Sequence, residues 1–260
     1  MVRRFLHQSW LYFKGANRAF NFEEFAFFQI LYPLATLIFY VLLAAYSFNT
    51  TNLTRWVVGN SFLLCVNVAL FTLGQAFNSE RYYGRLRSII ASPMSKLATV
   101  LQKAVFPVLI AIVTVIIGFI AGSLIFDIPF TEINIGLMLV VIAVSMFAAI
   151  GLGLLMGALS LLTDSMHLIL NTMCYILMIF CGANFPISQL PRWGQVISRL
   201  LPLTRGIEAG NLLFEDFDQG LFTRLLIGEF VIGAVFFTAS YWVIKLAERA
   251  AIKRASLEMF

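Results

Sequence analysis

The sequence predicts an all-α integral membrane protein with six transmembrane helices, an N-terminal interfacial helix and short external helices before the last span. Three observations carry this. Of 260 residues, 60% are apolar and only 12% charged, with a mean hydropathy of +0.89, whereas soluble domains are about a quarter charged. Six apolar stretches each reach the roughly twenty residues that a helical crossing needs. The cations collect at the ends of those stretches. The formal charge of +5 therefore reads as a topology signal and as lipid-headgroup contact, not as a nucleic-acid footprint. The length suits one domain, 1–260.

Residues 1–25 set Phe5, Trp10, Leu11, Tyr12, Phe13 and Phe20 among Arg3, Arg4, His7, Lys14 and Arg18. That mixture is too polar to span and too aromatic for a free tail, so it predicts an amphipathic helix in the headgroup layer. Met1-Val2-Arg3-Arg4 leads into no compact apolar region with a small-residue cleavage site, so no signal peptide is expected.

The spans fall at about 27–47, 56–77, 104–126, 135–159, 167–185 and 222–246. Pro33 and Pro107 lie inside the first and third, where neighbouring helices can satisfy the freed carbonyls. Gly118 and Gly122, then Gly151, Gly153 and Gly157, form small-residue stripes that predict close packing between helices of this chain. Cys65, Cys174 and Cys181 lie in or beside spans without a C-x-x-C pair and read as small buried hydrophobes.

Counting cations orients the chain. With the N-terminus inside, the inner segments hold Arg3, Arg4, Lys14, Arg18, Arg81, Arg85, Arg87, Lys96, Lys103, Lys245, Arg249, Lys253 and Arg254. The outer segments hold Arg55, Arg192, Arg199, Arg205 and Arg224. Thirteen against five places both termini and the long basic loop 78–103 in the cytoplasm.

That loop carries residues suited to docking. Glu80 and Arg81 can cap a helix start, where an acid is favoured by the helix dipole. Gly84 permits close backbone approach, Leu86 and Ile89 offer an apolar face, and Pro93 ends the helix.

The outer segment 186–220 is patterned too. Leu190, Trp193, Ile197, Leu200 and Leu201 recur at helical spacing, with Arg192, Gln195 and Arg199 opposite. Ser188 and Pro191 suit a helix start. Pro202 breaks the run before a second short stretch, 205–214. Two short helices dipping into the outer leaflet are expected.

No enzyme constellation is present in the sequence. It lacks the phosphate-cradling G-x-x-x-x-G-K-[ST], the zinc pattern H-E-x-x-H and the G-x-S-x-G elbow. His7 and His167 have no evident partner, and no catalytic or metal-binding residue is assigned. Asn67, Gln75 and Asn171 are polar at membrane depth, bonded between helices or lining a cavity. Glu229 is the one acid well inside a span, where a charge costs a few kcal/mol and must face protein or water. It reads either as a substrate-path group, together with Asn67 and Asn171, or as a structural carboxylate paired with an arginine such as Arg205.

Glu80-Arg81-x-x-Gly84-x-Leu86, followed by Ser92-Pro93-x-Ser95, resembles the cytoplasmic loop of the ABC-2-type exporter permeases. Phe185-Pro186-Ile187-Ser188-x-Leu190-Pro191-x-Trp193, then Leu201-Pro202-Leu203-Thr204 and Glu208-Ala209, resembles their external segment. The resemblance implies a non-catalytic membrane-spanning subunit of an ATP-driven exporter. Loop 78–103, through Glu80, Arg81, Gly84, Leu86, Ile89 and Pro93, would dock on an ABC ATPase subunit. Segment 186–220, with Pro186, Leu190, Trp193, Pro202, Thr204 and Glu208, would cap an outer gate. The chain would hold no cofactor; ATP and Mg would bind the partner ATPase dimer. A second permease copy or a related permease, and membrane lipid, complete the partners; no nucleic acid is expected. The implied location is a bacterial cell membrane. The implied cargo is hydrophobic or amphipathic: a drug, antimicrobial peptide, lipid or lipid-linked glycan. The rival reading is an ion-gradient-driven secondary transporter, which predicts repeat symmetry and paired intramembrane charges. Glu229 is its only foothold.

Overall fold

The computed structural model describes residues 2–16, 23, 27–75, 78, 80, 84, 96–129, 133–161, 163, 165–215 and 217–254. Among them the regular elements are helices. In chain order these are α1 (Val2–Ala16), α2 (Tyr32–Phe48), α3 (Thr54–Gly74), α4 (Lys96–Phe126), α5 (Ile135–Leu159), α6 (Met166–Phe180), α7 (Arg192–Leu200), α8 (Thr204–Leu212) and α9 (Gln219–Arg254).

The stretches Thr54–Gly74, Leu101–Phe126, Ile135–Leu159 and Gln219–Leu246 are long and apolar enough to cross a membrane; α2 and α6 are apolar but shorter. A π-helical segment, Phe27–Leu31, runs into α2 without a break, since Leu31 keeps right-handed helical angles. Pro33 sits just past that junction. Its missing N–H and its ring disfavour a regular α turn before it, which suits a widened one. A second π segment, Asn67–Phe71, interrupts α3.

Helix α3 is the hub: 81% of its spanning window is buried, against 17% for that of α9. Lipid tails are as apolar as leucine, so burying apolar surface against protein gains little inside a bilayer. Close contact must supply the cohesion instead, and the glycine stripes provide it. A Cβ on Gly118 would meet Leu64 at 2.7 Å, and one on Gly122 would strike Val57, so α4 lies flat on α3. A Cβ on Gly153 would lie 2.9 Å from the Ala69 carbonyl oxygen and one on Gly157 2.5 Å from that of Leu73, so α5 seats closely on α3. On the other side of α5, a Cβ on Gly151 would lie 2.8 Å from the Gly233 carbonyl oxygen of α9. Phe147 lies there, between Phe230 and Phe237 at 4.9 and 4.8 Å. The stripes are intramolecular packing surfaces, as their spacing predicts.

The fifth span is corrected. It was expected to run helically over 167–185, but α6 ends at Phe180 and residues 181–185 form bends. Cys181 and Ala183 are buried, and Gly182 has φ +84°. Non-helical backbone is tolerated at such depth only when protein satisfies it. Here the Trp56 indole donates to the Asn184 carbonyl at 3.1 Å, Asn60 donates to Asn184 Oδ1 at 3.1 Å, and Asn184 donates to the Met178 carbonyl at 3.2 Å. Gly59 makes room for this backbone: a Cβ there would lie 2.5 Å from Ala183 Cα.

Candidate functional site: a loop junction and a cap at opposite ends of the bundle

The residues with functional promise gather at the two ends of the bundle. At the first end stands Glu80, 5% exposed. Its carboxylate accepts from Lys103 Nζ at 2.5 Å, so the loop acid is bound to the beginning of α4. The Lys103 ammonium also lies 5.4 Å from the centre of the Tyr12 ring on α1, within cation–π range. One residue along, Gln102 donates to Gln8 at 2.7 Å. One turn further, Phe106 packs on Trp10 at 5.2 Å and on Phe13 at 5.3 Å. Helix α1 is thus strapped to α4 by a polar pair and an aromatic cluster. Its Arg4, Leu6, His7, Leu11 and Lys14 face outward, the mixture that suits a headgroup layer.

The loop's entry is anchored as well. Gln75, at the end of α3, donates to the His167 ring at 2.9 Å, and Asn78 donates to Gln75 Oε1 at 3.1 Å. His167 therefore does have a partner, contrary to the sequence expectation; the two residues stand 92 positions apart, so no local pattern announces the pair. Gly84 is exposed, with φ +68° and nothing within 4 Å of where a Cβ would be. Its glycine is required by backbone conformation, because left-handed angles suit few other residues. Arg81, Leu86, Ile89 and Pro93 lie outside the described residues.

At the other end, residues 186–215 form a cap. Pro186 precedes a 3-10 turn, Ile187–Gln189, that Leu190 closes, and Pro191 immediately precedes α7. Ser188 lies inside that turn, whose N-cap is Pro186. Helix α7 turns Gly194 and Ser198 inward and leaves Trp193, Val196 and Leu200 at 63%, 61% and 66% exposed. Its apolar side thus faces away from the protein, as a helix in the outer leaflet would have it. Trp193 keeps one protein contact, an edge-on approach to Phe180 at 5.8 Å.

Helix α8 departs from the expected leaflet-dipping geometry. Thr204, Gly206, Ile207, Ala209, Gly210 and Asn211 are all buried. A Cβ on Gly210 would lie 3.0 Å from Val58 and 3.3 Å from Phe62 of α3, and one on Gly206 would strike the Ser145 hydroxyl of α5. Its abundance of small residues is what lets this short helix wedge between spans. Pro202 and Thr204 are enclosed with it.

Glu229 of α9 holds the start of that helix. It is fully buried, and its Oε1 accepts the Leu203 N–H at 2.5 Å. The N–H groups of Arg205 and Gly206 add to the attraction. A carboxylate there satisfies a helix N-terminus and complements its dipole. Leu203 itself is buried with φ +72°, a left-handed conformation that costs a non-glycine residue about 1–2 kcal/mol. Arg205 lies along α9 beside Gly228, 2.7 Å from where its Cβ would be. It contributes charge to Glu229 without a direct ion pair among the described residues. The backbone is the bonded partner, not the arginine that the sequence suggested.

Glu208 lies among Arg55, Arg205 and Arg199. Burial pushes its carboxyl above the usual range, and the three arginines pull it back only in part. Asn171 is exposed on α6 and donates to its own helix, to the His167 carbonyl at 2.8 Å. Asn67 opens the π segment of α3; its side chain lies outside the described residues.

The sequence marks Lys103 only as an inner cation and Tyr12 only as an aromatic of the N-terminal helix, and singles out none of Asn60, Asn184 or Ser145. The signals were slight: a lysine on the polar side of a span start, and asparagines inside apolar runs.

Comparison with known proteins completes the picture. A comparison with curated proteins gives no match. The family model described as ABC-2 type transporter matches residues 10–212, from α1 through the end of α8 and short of α9. That match takes in the Glu80–Lys103 pair and most of the 186–215 cap, and it covers well over half of the chain: this protein belongs to the ABC-2 type transporter family.

Proposed function

We propose that this chain is the membrane-spanning subunit of an ATP-driven exporter for a hydrophobic or amphipathic cargo. The observation that carries the reading is the buried Glu80–Lys103 pair. It ties a loop otherwise suited to a soluble partner into the transmembrane bundle. ATP and Mg belong to a separate ABC ATPase dimer. Its closure pushes on loop 78–103, and a second copy of this chain or a related permease completes the transport path. The cation bias puts the loop and both termini in the cytoplasm. Six crossings follow if α2, lengthened by its π segment, and α6, continued by the buried 181–185 backbone, each cross beside the four longer stretches.

The cap 186–215 then covers the outer end, with Pro186, Leu190 and Trp193 on its lipid side and Pro202, Thr204 and Glu208 inside. The mostly apolar faces turned outward by α2, α6 and α9 favour an apolar cargo. Asn171 and Thr172, exposed on α6, are the polar groups of the proposed path, with Asn67 on the hub. The ion-gradient alternative needs an intramembrane acid open to solvent. Glu229 is enclosed, with one oxygen bonded to Leu203, which favours the ATP-driven reading.

The test is biochemical. The tagged full-length chain, purified from its native membrane, should bring down an ABC ATPase identifiable by its phosphate-loop sequence. Stripped of that subunit, it should hydrolyse no ATP. Robust hydrolysis by the isolated chain, or purification with no ATPase at all, would sink the proposal.

A further inference from the structure

Three separate segments meet at one side chain. Lys103, with its side chain 13% exposed, holds Glu80 of the loop at 2.5 Å and lies 5.4 Å from the Tyr12 ring of α1. It is itself part of α4. Removing two charges from water is costly, and their attraction repays that cost only in good geometry, so such a pair is weak evidence for added stability. What it does supply is a fixed distance. Glu80 cannot shift along the membrane surface without either breaking the pair or moving α4 with it.

From Lys103 onward the contacts are stiff. Helix α4 has 31 residues, about 46 Å at ~1.5 Å per residue. It carries Gly118 and Gly122 flat against Leu64 and Val57 of α3. On α3, Val58 and Phe62 press on Gly210 of α8, whose start is held by Glu229. Rigid helices joined by backbone-close contacts pass on displacement, because close-packed interiors do not deform continuously.

We infer that Lys103 is the positioning residue through which motion of loop 78–103 enters the bundle and reaches the outer cap. The inference rests on the proposed ATPase coupling. Lys103 touches neither nucleotide nor cargo; it acts by holding Glu80 against α4 and α1.

The experiment uses the full chain in complex with its co-purified ATPase, reconstituted in lipid nanodiscs, which leave both membrane faces open to reagents. Ser188→Cys supplies an exposed label site in the cap, read by the rate of reaction with a membrane-impermeant maleimide. In the otherwise unchanged complex, ATP with vanadate should alter that rate. Lys103→Met is compared with the parent complex at equal amounts of co-purified ATPase. The nucleotide-dependent change at Ser188→Cys should shrink about ten-fold, an ordinary size for a coupling between sites. Lys103→Arg should retain it. Exchanging the charges, Glu80→Lys with Lys103→Glu, should restore what either single reversal removes, as direct pairing of the two side chains requires; the unfolding midpoint in detergent, unchanged in Lys103→Met, separates lost coupling from lost structure.

If Lys103→Met leaves the nucleotide response intact, the inference is wrong. If Lys103→Met fails to assemble, the exchanged pair decides: recovery of the response supports the inference, and no recovery overturns it. A complex without substitutions at Glu80 or Lys103 that shows no nucleotide response at Ser188→Cys overturns the coupling reading itself, and the inference with it.

Discussion

The Glu229 carboxylate on the last helix accepts the backbone N–H of Leu203, 26 positions earlier in the chain. That bond joins the long apolar helix α9 to the N-cap of the short helix α8, where Leu203 adopts a left-handed conformation. Replacing Glu229 with alanine orphans a buried N–H, at a cost of about 1–3 kcal/mol. Glu229→Ala should therefore lower the thermal unfolding midpoint in detergent. Glu229→Gln, whose amide oxygen can accept the same N–H, should fall between the two. Equal midpoints for all three proteins would show that the bond does not hold the cap.

Glu208 predicts a pH dependence. Its carboxyl is raised above the ordinary 4.5, chiefly by burial, so the folded state favours the protonated form. For a raised acid, the favourable contribution is fully present below pH 4.5 and is lost as pH rises through the raised value. Removing the titration with Glu208→Gln should flatten this trend. Unfolding midpoints of the parent and the variant, followed from pH 4.5 upward, should diverge, the parent losing more. Parallel curves would count against a buried, titrating Glu208.

Two glycines give a matched contrast. At Gly59 a Cβ would lie 2.5 Å from Ala183 Cα and 2.9 Å from its Cβ, so backbone would have to move. Overpacking of this kind costs about 1–3 kcal/mol. Gly15, in α1, has nothing within 4 Å, and alanine there should be neutral or stabilising by up to about 1 kcal/mol through helix propensity. Detergent denaturation of Gly59→Ala and Gly15→Ala tests both signs together.

Gly84 separates folding from docking. Its φ of +68° would strain any other side chain, but it is exposed with open space around it. The strain should stay near 1 kcal/mol. Gly84→Glu should then insert and remain folded while binding less ATPase, measured as the ratio of the two subunits after purification. An unchanged ratio and unchanged export would mean that this loop is not where the ATPase docks.

Orientation is open to labelling in intact cells. Thr51→Cys and Gln219→Cys should react with an impermeant maleimide added outside, and Arg85→Cys should not. Reaction at Arg85→Cys would invert the proposed topology.

Several features were legible in the chain alone. The spans follow from single-residue hydropathy, because the bilayer selects each residue for its own transfer cost. The Gly118, Gly122, Gly151, Gly153 and Gly157 stripes announced close packing, because a missing side chain is a local property. Ends of elements were less visible: helix α6 stops at Phe180, although Cys181, Ala183 and Phe185 continue its apolar composition, and Asn184 terminates the run through bonds to distant Asn60 and Trp56. The motifs around Glu80 and Pro186 marked where the candidate sites lie, but not what holds them.

That was decided by tertiary structure alone. Lys103 reads as one more cation at a membrane boundary until folding brings Glu80 and Tyr12 onto it. Glu229 reads as an acid awaiting an arginine, yet its partner is a backbone N–H, which every residue but proline possesses and which therefore leaves no mark in a sequence. The small residues of α8 could have faced lipid or protein; contact with Val58, Phe62 and Ser145 settles that they face protein. Composition and spacing report what each residue costs in a given solvent. Pairing between remote segments depends on where the backbone carries them, and for this chain that is where its two candidate sites are made.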